Sequence, residues 1–185
     1  MLETVAQHYL ARANSNRGKN VYLSLDPERC LAEARSTQAR FCGQPKPLLY
    51  GLPISLKDCF DLAGFPTTCG SKYYAEHTAP AQHDSAVALR LHAQGAIITG
   101  KTHLNALAYG ITGENPDFGD CLQLGNDSLL TGGSSSGAAA SVLEGSAYAA
   151  VGTDTGGSLR VPAALCGLAS YRASLHLARR QGPRG

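Results

Sequence analysis

Val5, Tyr9 and Leu10 recur at helical spacing, which predicts an amphipathic helix over residues 2–13. Residues 21–25 form a short apolar run, a strand candidate. Asp26-Pro27-Glu28 then reads as a helix start, with a capping carboxylate and a proline at the first helical position. That helix is expected to run to residue 39. A proline-bearing connection over residues 44–49 leads into an apolar strand at 52–56, which delivers Lys57 at its end. Residues 63–82 are turn-rich and are expected to form a loop over the sheet. Val87, Leu89 and Leu91 mark a helix over 85–94, followed by a short strand at 96–99 and a short helix at 104–109. Residues 111–130 show little periodicity and are expected to be irregular.

The stretch over residues 131–160, TGGSSSGAAASVLEGSAYAAVGTDTGGSLR, sets two Gly-Ser clusters around a segment of small residues. Residues 138–147 are rich in alanine and favour a helix, with residues 132–137 as the loop that feeds it. The apolar run 148–152 suits a buried strand, and 153–158 is a second loop. Helices alternating with short apolar strands imply an α/β fold, a mixed sheet covered by helices. There is no internal repeat and no linker, so a single domain is expected.

The chain has 185 residues, with 16 basic and 14 acidic side chains scattered along it and a net charge of +2. This pattern calls for neither nucleic acid nor a membrane surface as a direct partner. No apolar run approaches the roughly 18 residues of a membrane span, and no signal-peptide pattern opens the chain. Cys30, Cys42, Cys59, Cys69, Cys121 and Cys166 contain no C-x-x-C pair and no metal-ligand spacing. Reduced thiols in a cytoplasmic protein, with no metal, are expected. Asn126-Asp127-Ser128 fits a glycosylation sequon, read as accidental without a secretory signal.

The Gly-Ser clusters carry the candidate chemistry. One lies at a helix N-terminus, where free N–H groups collect. The other follows a strand end, where Gly156 and Gly157 let backbone amides approach a ligand. A serine beside unpaired N–H groups is what acyl transfer needs: a nucleophile and an oxyanion hole. The hydroxyl still requires a base.

The run Gly132-Gly133-Ser134-Ser135-Ser136-Gly137, followed by Gly152-Thr153-Asp154-Thr155-Gly156-Gly157-Ser158-Leu159-Arg160-Val161-Pro162-Ala163, resembles the signature of the amidase signature family. Gly51-Leu52-Pro53-Ile54-Ser55-Leu56-Lys57-Asp58 resembles that family's lysine motif, and the three motifs stand in the family's order. The resemblance implies a Ser–cis-Ser–Lys triad and the amidase signature fold. On this chain Ser158 matches the nucleophile, Ser134 the bridging serine in a cis-peptide setting, and Lys57 the base. The amides of Thr155, Gly156, Gly157 and Ser158 match the oxyanion hole, and Gly133, Ser134 and Ser135 the substrate-facing loop. The implied reaction is release of ammonia or an amine from a small-molecule carboxamide through an acyl-enzyme, with no cofactor and with a homodimer as the candidate assembly. Thr112-Gly113-Glu114-Asn115 and Arg160-Val161-Pro162-Ala163 resemble stand-alone amidases of the indoleacetamide and allophanate type. The alternative is the glutaminase-type subunit of a transfer-RNA-dependent amidotransferase, whose members tend to carry glutamine where Val161 stands. Ser136 stands where many members have glycine, and Thr131 where many have proline.

The resemblance covers residues 1–173, and residues 174–185 read as a basic, disordered tail unlike the family. On this reading the fold is incomplete at its C-terminus, a truncated member of the family. A third reading follows, an inactive fragment with at most a subunit-binding role.

Two further patterns compete with this reading. Gly95-Ala96-Ile97-Ile98-Thr99-Gly100-Lys101-Thr102 matches the phosphate-loop pattern literally, but the intervening residues are expected to be a strand rather than a loop free to wrap phosphate. Gly133-Ser134-Ser135-Ser136-Gly137 matches a nucleophile elbow centred on Ser135, which needs a hydrophobic strand before it and a histidine after it; only His176 follows. Asp154 and Arg160 are expected to pair and to hold the second loop.

Overall fold

A computed structural model of the chain describes residues 1–174. Helix α1 (Leu2–Ser15) and helix α2 (Pro27–Arg40) flank the short strand β1 (Tyr22–Ser24). Asp26 caps α2 by accepting a hydrogen bond from the Arg29 amide at 3.0 Å, with Pro27 at the first helical position. Strand β2 (Pro53–Lys57) is followed by α3 (Lys72–His77), α4 (Ala86–Ala93) and β3 (Ile97–Thr102). A hairpin of β4 (Leu122–Gln123) and β5 (Asn126–Leu130) precedes α5 (Ser136–Leu143), β6 (Ala149–Val151) and α6 (Arg160–Leu165).

The main sheet has the order β1-β3-β2-β6. Strand β2 runs parallel to both β3 and β6, and β1 is antiparallel to β3, so the sheet is mixed. Alternate residues of β2 point to opposite faces. Ile54 and Leu56 join Leu62, Ala88, Leu91, Ala96 and Ile98 in one apolar cluster beneath α4. Ser55 and Lys57 face α5 instead: the Ser55 hydroxyl lies 2.8 Å from that of Ser141, and Lys57 reaches the loop that opens α5. Ala6, Leu10, Cys30, Ala34 and Ile97 form a second cluster that seats α1 and α2.

Helix α5 sits very close to the sheet because its residues are small. A Cβ on Gly137 would lie 2.3 Å from the Val21 carbonyl oxygen and 2.4 Å from the His103 nitrogen, both backbone atoms. No larger residue fits there without moving the helix.

Several expectations need correction. Residues 111–130 are not irregular throughout but carry the β4–β5 hairpin, whose second strand is largely exposed and so lacks an apolar pattern. The segment 104–109 is not a helix: only a single 3-10 turn forms at Ala106–Ala108, with Leu107 at φ 55° and Ala108 at φ 57° in the left-handed region. The loop over 63–82 contains α3. Strand β3 continues past residue 99 through Gly100, Lys101 and Thr102, and α5 starts at Ser136 and ends at Leu143 rather than spanning 138–147. The tail from residue 175, with His176, lies outside the described residues.

Candidate active site

Lys57 ends β2 at the carboxyl edge of the parallel strands, the edge where open α/β sheets place ligands. Its neighbour β6 ends at Val151, which leads Thr153 to the same edge. Lys57 has no exposed surface. Its ammonium donates to Ser134 Oγ at 2.8 Å and to Thr153 Oγ1 at 2.7 Å. Burial pushes the Lys57 pKa down from 10.5 to about 8, against the opposing pull of Cys59, Cys69 and Asp154. The amine is thereby brought within reach of its uncharged form near neutral pH.

Ser134 is equally buried, and the Gly133–Ser134 peptide bond is cis. The loop is held from behind by Gly132 N–H on the Thr112 carbonyl (3.0 Å) and Gly133 N–H on the Ile111 carbonyl (2.8 Å). A Cβ on Gly133 would fall 2.0 Å from Asn105 Oδ1, so only glycine fits. Asn105 braces the same segment by accepting from the Gly113 amide at 3.1 Å and donating to the Glu114 carbonyl at 2.8 Å.

Ser158 is partly exposed, and its carbonyl accepts the Ser135 amide at 2.9 Å, which docks the second Gly-Ser loop one residue from Ser134. The Asp154 carboxylate organises this loop. It accepts from the amides of Gly157 (2.8 Å), Leu159 (3.3 Å) and Arg160 (3.2 Å), and from the Arg160 guanidinium at 2.9 and 3.0 Å. The Arg160 side chain, joined by these amides, holds the Asp154 carboxyl well below the usual carboxylate range. The expected Asp154–Arg160 pair is therefore present.

The structure brings Lys57 and Ser134 into direct contact and sets Ser158 on the adjoining loop. Two expected roles look different in the geometry. The Gly157 amide, one of four expected oxyanion donors, is spent on Asp154, whereas those of Thr155, Gly156 and Ser158 meet no acceptor among the described residues. The Ser135 hydroxyl, expected to face substrate, is buried and bonded to the Thr153 main chain, donating to its carbonyl (3.1 Å) and accepting from its amide (3.2 Å). Ser136, third in the run, lies 2.7 Å from His103 Nδ1, while His103 Nε2 donates to the Gly119 carbonyl at 2.9 Å. Burial lowers the His103 pKa and keeps the ring neutral.

Thr153 was not singled out from the sequence, although it lies inside the second motif, two residues after the end of β6. Nor was the buried ion pair of Lys101 and Asp58, whose charged atoms are 2.6 Å apart with no exposed surface. Lys101 also donates to the Pro66 carbonyl (3.1 Å) and to Thr67 Oγ1 (3.2 Å). This pairing disposes of the phosphate-loop pattern: its lysine is buried against a carboxylate and its middle residues form β3. Among the described residues, no group of three His, Cys, Asp or Glu side chains could hold a metal ion. None of their helices is long and apolar enough to cross a membrane.

Known proteins resemble the chain in sequence and in fold. The chain is 43% identical over 179 residues to a glutamyl-tRNA(Gln) amidotransferase subunit of Thiobacillus denitrificans, covering 96% of this chain and 36% of that protein. The peptide amidase of Stenotrophomonas maltophilia superposes with a TM-score of 0.76 at 32% identity, covering 88% of this chain and 35% of that one. A bacterial aryl acylamidase of the amidase signature family superposes with a TM-score of 0.80 at 27% identity, covering 89% and 34%. The chain thus spans about a third of the length of the curated relatives it matches. The Amidase family model matches residues 4–182, and with the fold and the three motifs in agreement, the chain belongs to the amidase family.

Proposed function

We propose that this chain carries the acyl-transfer centre of an amide hydrolase, with Lys57 as base, Ser134 as proton relay and Ser158 as nucleophile. The observation that carries the reading is the 2.8 Å contact between Lys57 Nζ and Ser134 Oγ, both shielded from water. A buried lysine whose pKa is drawn down to about 8 can accept a proton near neutrality.

In this scheme uncharged Lys57 takes the proton of Ser134, and Ser134 in turn takes that of Ser158. Ser158 Oγ attacks the amide carbonyl, and the oxyanion is held by the amides of Thr155, Gly156 and Ser158, each donor worth roughly 3 kcal/mol of barrier. The proton returns through Ser134 to the leaving ammonia or amine. Water then hydrolyses the acyl-enzyme. Thr153 keeps the lysine aimed at Ser134, and Asp154 keeps the amides of its loop in place.

A second reading is favoured by the curated relatives, which are named as glutamyl-tRNA(Gln) amidotransferase subunits. Under it the amide is the side chain of glutamine and the ammonia passes to a partner protein. The same triad serves both. Ammonia release by the full chain from simple carboxamides, set against release from glutamine, separates them. Labelling of Ser158 by a fluorophosphonate tests the shared chemistry. Ser158→Ala should abolish it, and Ser134→Ala or Lys57→Ala should cripple it. No labelling at all would favour the inactive-fragment reading.

A further inference from the structure

Two of the six cysteines converge beside Lys57 from positions ten residues apart. Cys59 follows the end of β2, its amide donating to the Lys57 carbonyl at 2.8 Å. The Cys69 amide donates to the Asp58 carbonyl at 3.0 Å, the peptide group that leads directly into Cys59. One hydrogen bond therefore ties the amide of Cys69 to the peptide group that leads into Cys59, the close backbone approach that a disulfide between α-carbons ~4.4–6.8 Å apart requires. Both residues keep partial exposure, whereas Cys30, Cys121 and Cys166 are buried and Cys42 lies alone on the surface.

We infer that Cys59 and Cys69 form a dithiol site that a small-molecule disulfide closes, and that closure disables Lys57. Nothing in the proposed reaction uses these thiols; the inference rests on that reading only for its effect on Lys57. In the first step the thiolate of one cysteine attacks a sulfur of the small disulfide, forming a mixed disulfide and releasing one thiol. In the second the other thiolate attacks the protein sulfur of that mixed disulfide. The Cys59–Cys69 bond forms, the second thiol leaves, and the two protons lost by the cysteines end on the two released thiols.

The environment sets the pace of this exchange. Burial raises both thiol pKa values, with the Asp58 carboxylate adding to both and Asp61 to Cys69; Lys57 pulls chiefly on Cys59, and Lys101, then Lys57, on Cys69 in the opposite direction. Exchange should therefore accelerate with rising pH. Cys59 closes its turn on the Lys57 carbonyl, so drawing its sulfur toward Cys69 pulls on the residue whose amine Ser134 and Thr153 hold in place.

The test uses the full chain and oxidised glutathione. Trypsin cleaves after Lys57 and Lys72, so both cysteines fall in one peptide, residues 58–72. After oxidation that peptide should be lighter by about two mass units and refuse alkylation, and dithiothreitol should reverse both changes. Cys59→Ser should instead leave one glutathione adduct or a free thiol at Cys69. Fluorophosphonate labelling of Ser158 should slow by about tenfold or more on oxidation and recover on reduction. A peptide that keeps two alkylatable thiols, or carries two glutathiones without closing, overturns the site. Closure that leaves the labelling rate unchanged overturns the switch. Absence of labelling before oxidation would count against the amidase reading alone, because the peptide mass still decides the dithiol.

Discussion

Lys57 and Ser134, 77 positions apart in the chain, meet through a 2.8 Å hydrogen bond in a part of the protein that water does not reach. The contact follows from two local facts. The period of β2 turns Lys57 to the α5 face, and a loop of glycines and serines brings Ser134 down onto that face. The lysine must lose its charge to be useful there, and burial is what makes that loss cheap.

Burying Lys57 has a stability cost. Its folded pKa of about 8 lies below its ordinary value of 10.5, so the unfolded chain binds the extra proton between these limits. Stability should accordingly rise as pH goes from about 8 to 10.5, and at pH 7 the buried ammonium should cost about 3 kcal/mol. Lys57→Met is expected to raise the urea midpoint at pH 7 while removing Ser158 labelling. Equal or lower stability in that variant would argue against an energetically costly amine.

Asp154 is expected to control the second loop. Asp154→Ala removes the acceptor of three amides and of the Arg160 guanidinium. Labelling of Ser158 should drop on the order of a hundredfold, as for a misplaced donor set. Because the folded carboxyl titrates below its unfolded value, its contribution is present above the ordinary carboxylate range and is lost as pH falls through the folded pKa. The variant should therefore show a weaker loss of stability on acidification than the parent, measured by thermal melts from about pH 6 downward.

The Lys101–Asp58 pair makes a different prediction. Lys101→Met strands a carboxylate that has no exposed surface, which should cost about 3–5 kcal/mol. Adding Asp58→Asn should recover a large part of that loss, since the remaining groups are neutral. A double-mutant cycle by urea denaturation reads this directly; additive losses would contradict a coupled pair.

Glu144 is the least satisfied side chain in the described fold. It is 4% exposed, and neither carboxylate oxygen has a hydrogen-bond partner. Burial raises its pKa from 4.5 to about 7, so the folded state holds a proton that the unfolded state has lost. Stability should fall as pH rises from about 4.5 to 7 and stay low above it. Glu144→Gln should be more stable than the parent at pH 8, by up to about 3 kcal/mol, and nearly equal to it at pH 5. Equilibrium denaturation at the two pH values checks the difference.

The parts legible in the sequence were those whose cause is local. The Asp26 cap, the apolar run that ends on Lys57, and the glycines around Ser134 each announce their structure within a few residues. The β4–β5 hairpin gave no signal because β5 is mostly exposed and so has no apolar face to display. The left-handed Leu107 and Ala108 are set by contacts such as the Leu107 amide on the Cys69 carbonyl at 2.7 Å, which no residue nearby in sequence encodes. Lys101 drew notice only through the phosphate-loop pattern, which its strand setting argued against; its ion pair gave no signal because Asp58 lies in the turn after a different strand. At the site, the motifs supplied the residues, but the assignment of single amides did not follow from them. The Gly157 amide goes to Asp154 within the second loop, and the Ser135 hydroxyl goes to Thr153 where the two loops dock.

The central claim is that an uncharged Lys57 activates Ser158 through Ser134, and the pH dependence of fluorophosphonate labelling at Ser158 tests it most directly. The account predicts a rate that climbs about tenfold per pH unit below about 8 and levels off above it. It also predicts that Lys57→Ala abolishes this limb and lowers the plateau by orders of magnitude. A labelling rate flat across that range, or a Lys57→Ala variant labelled as fast as the parent, would contradict it.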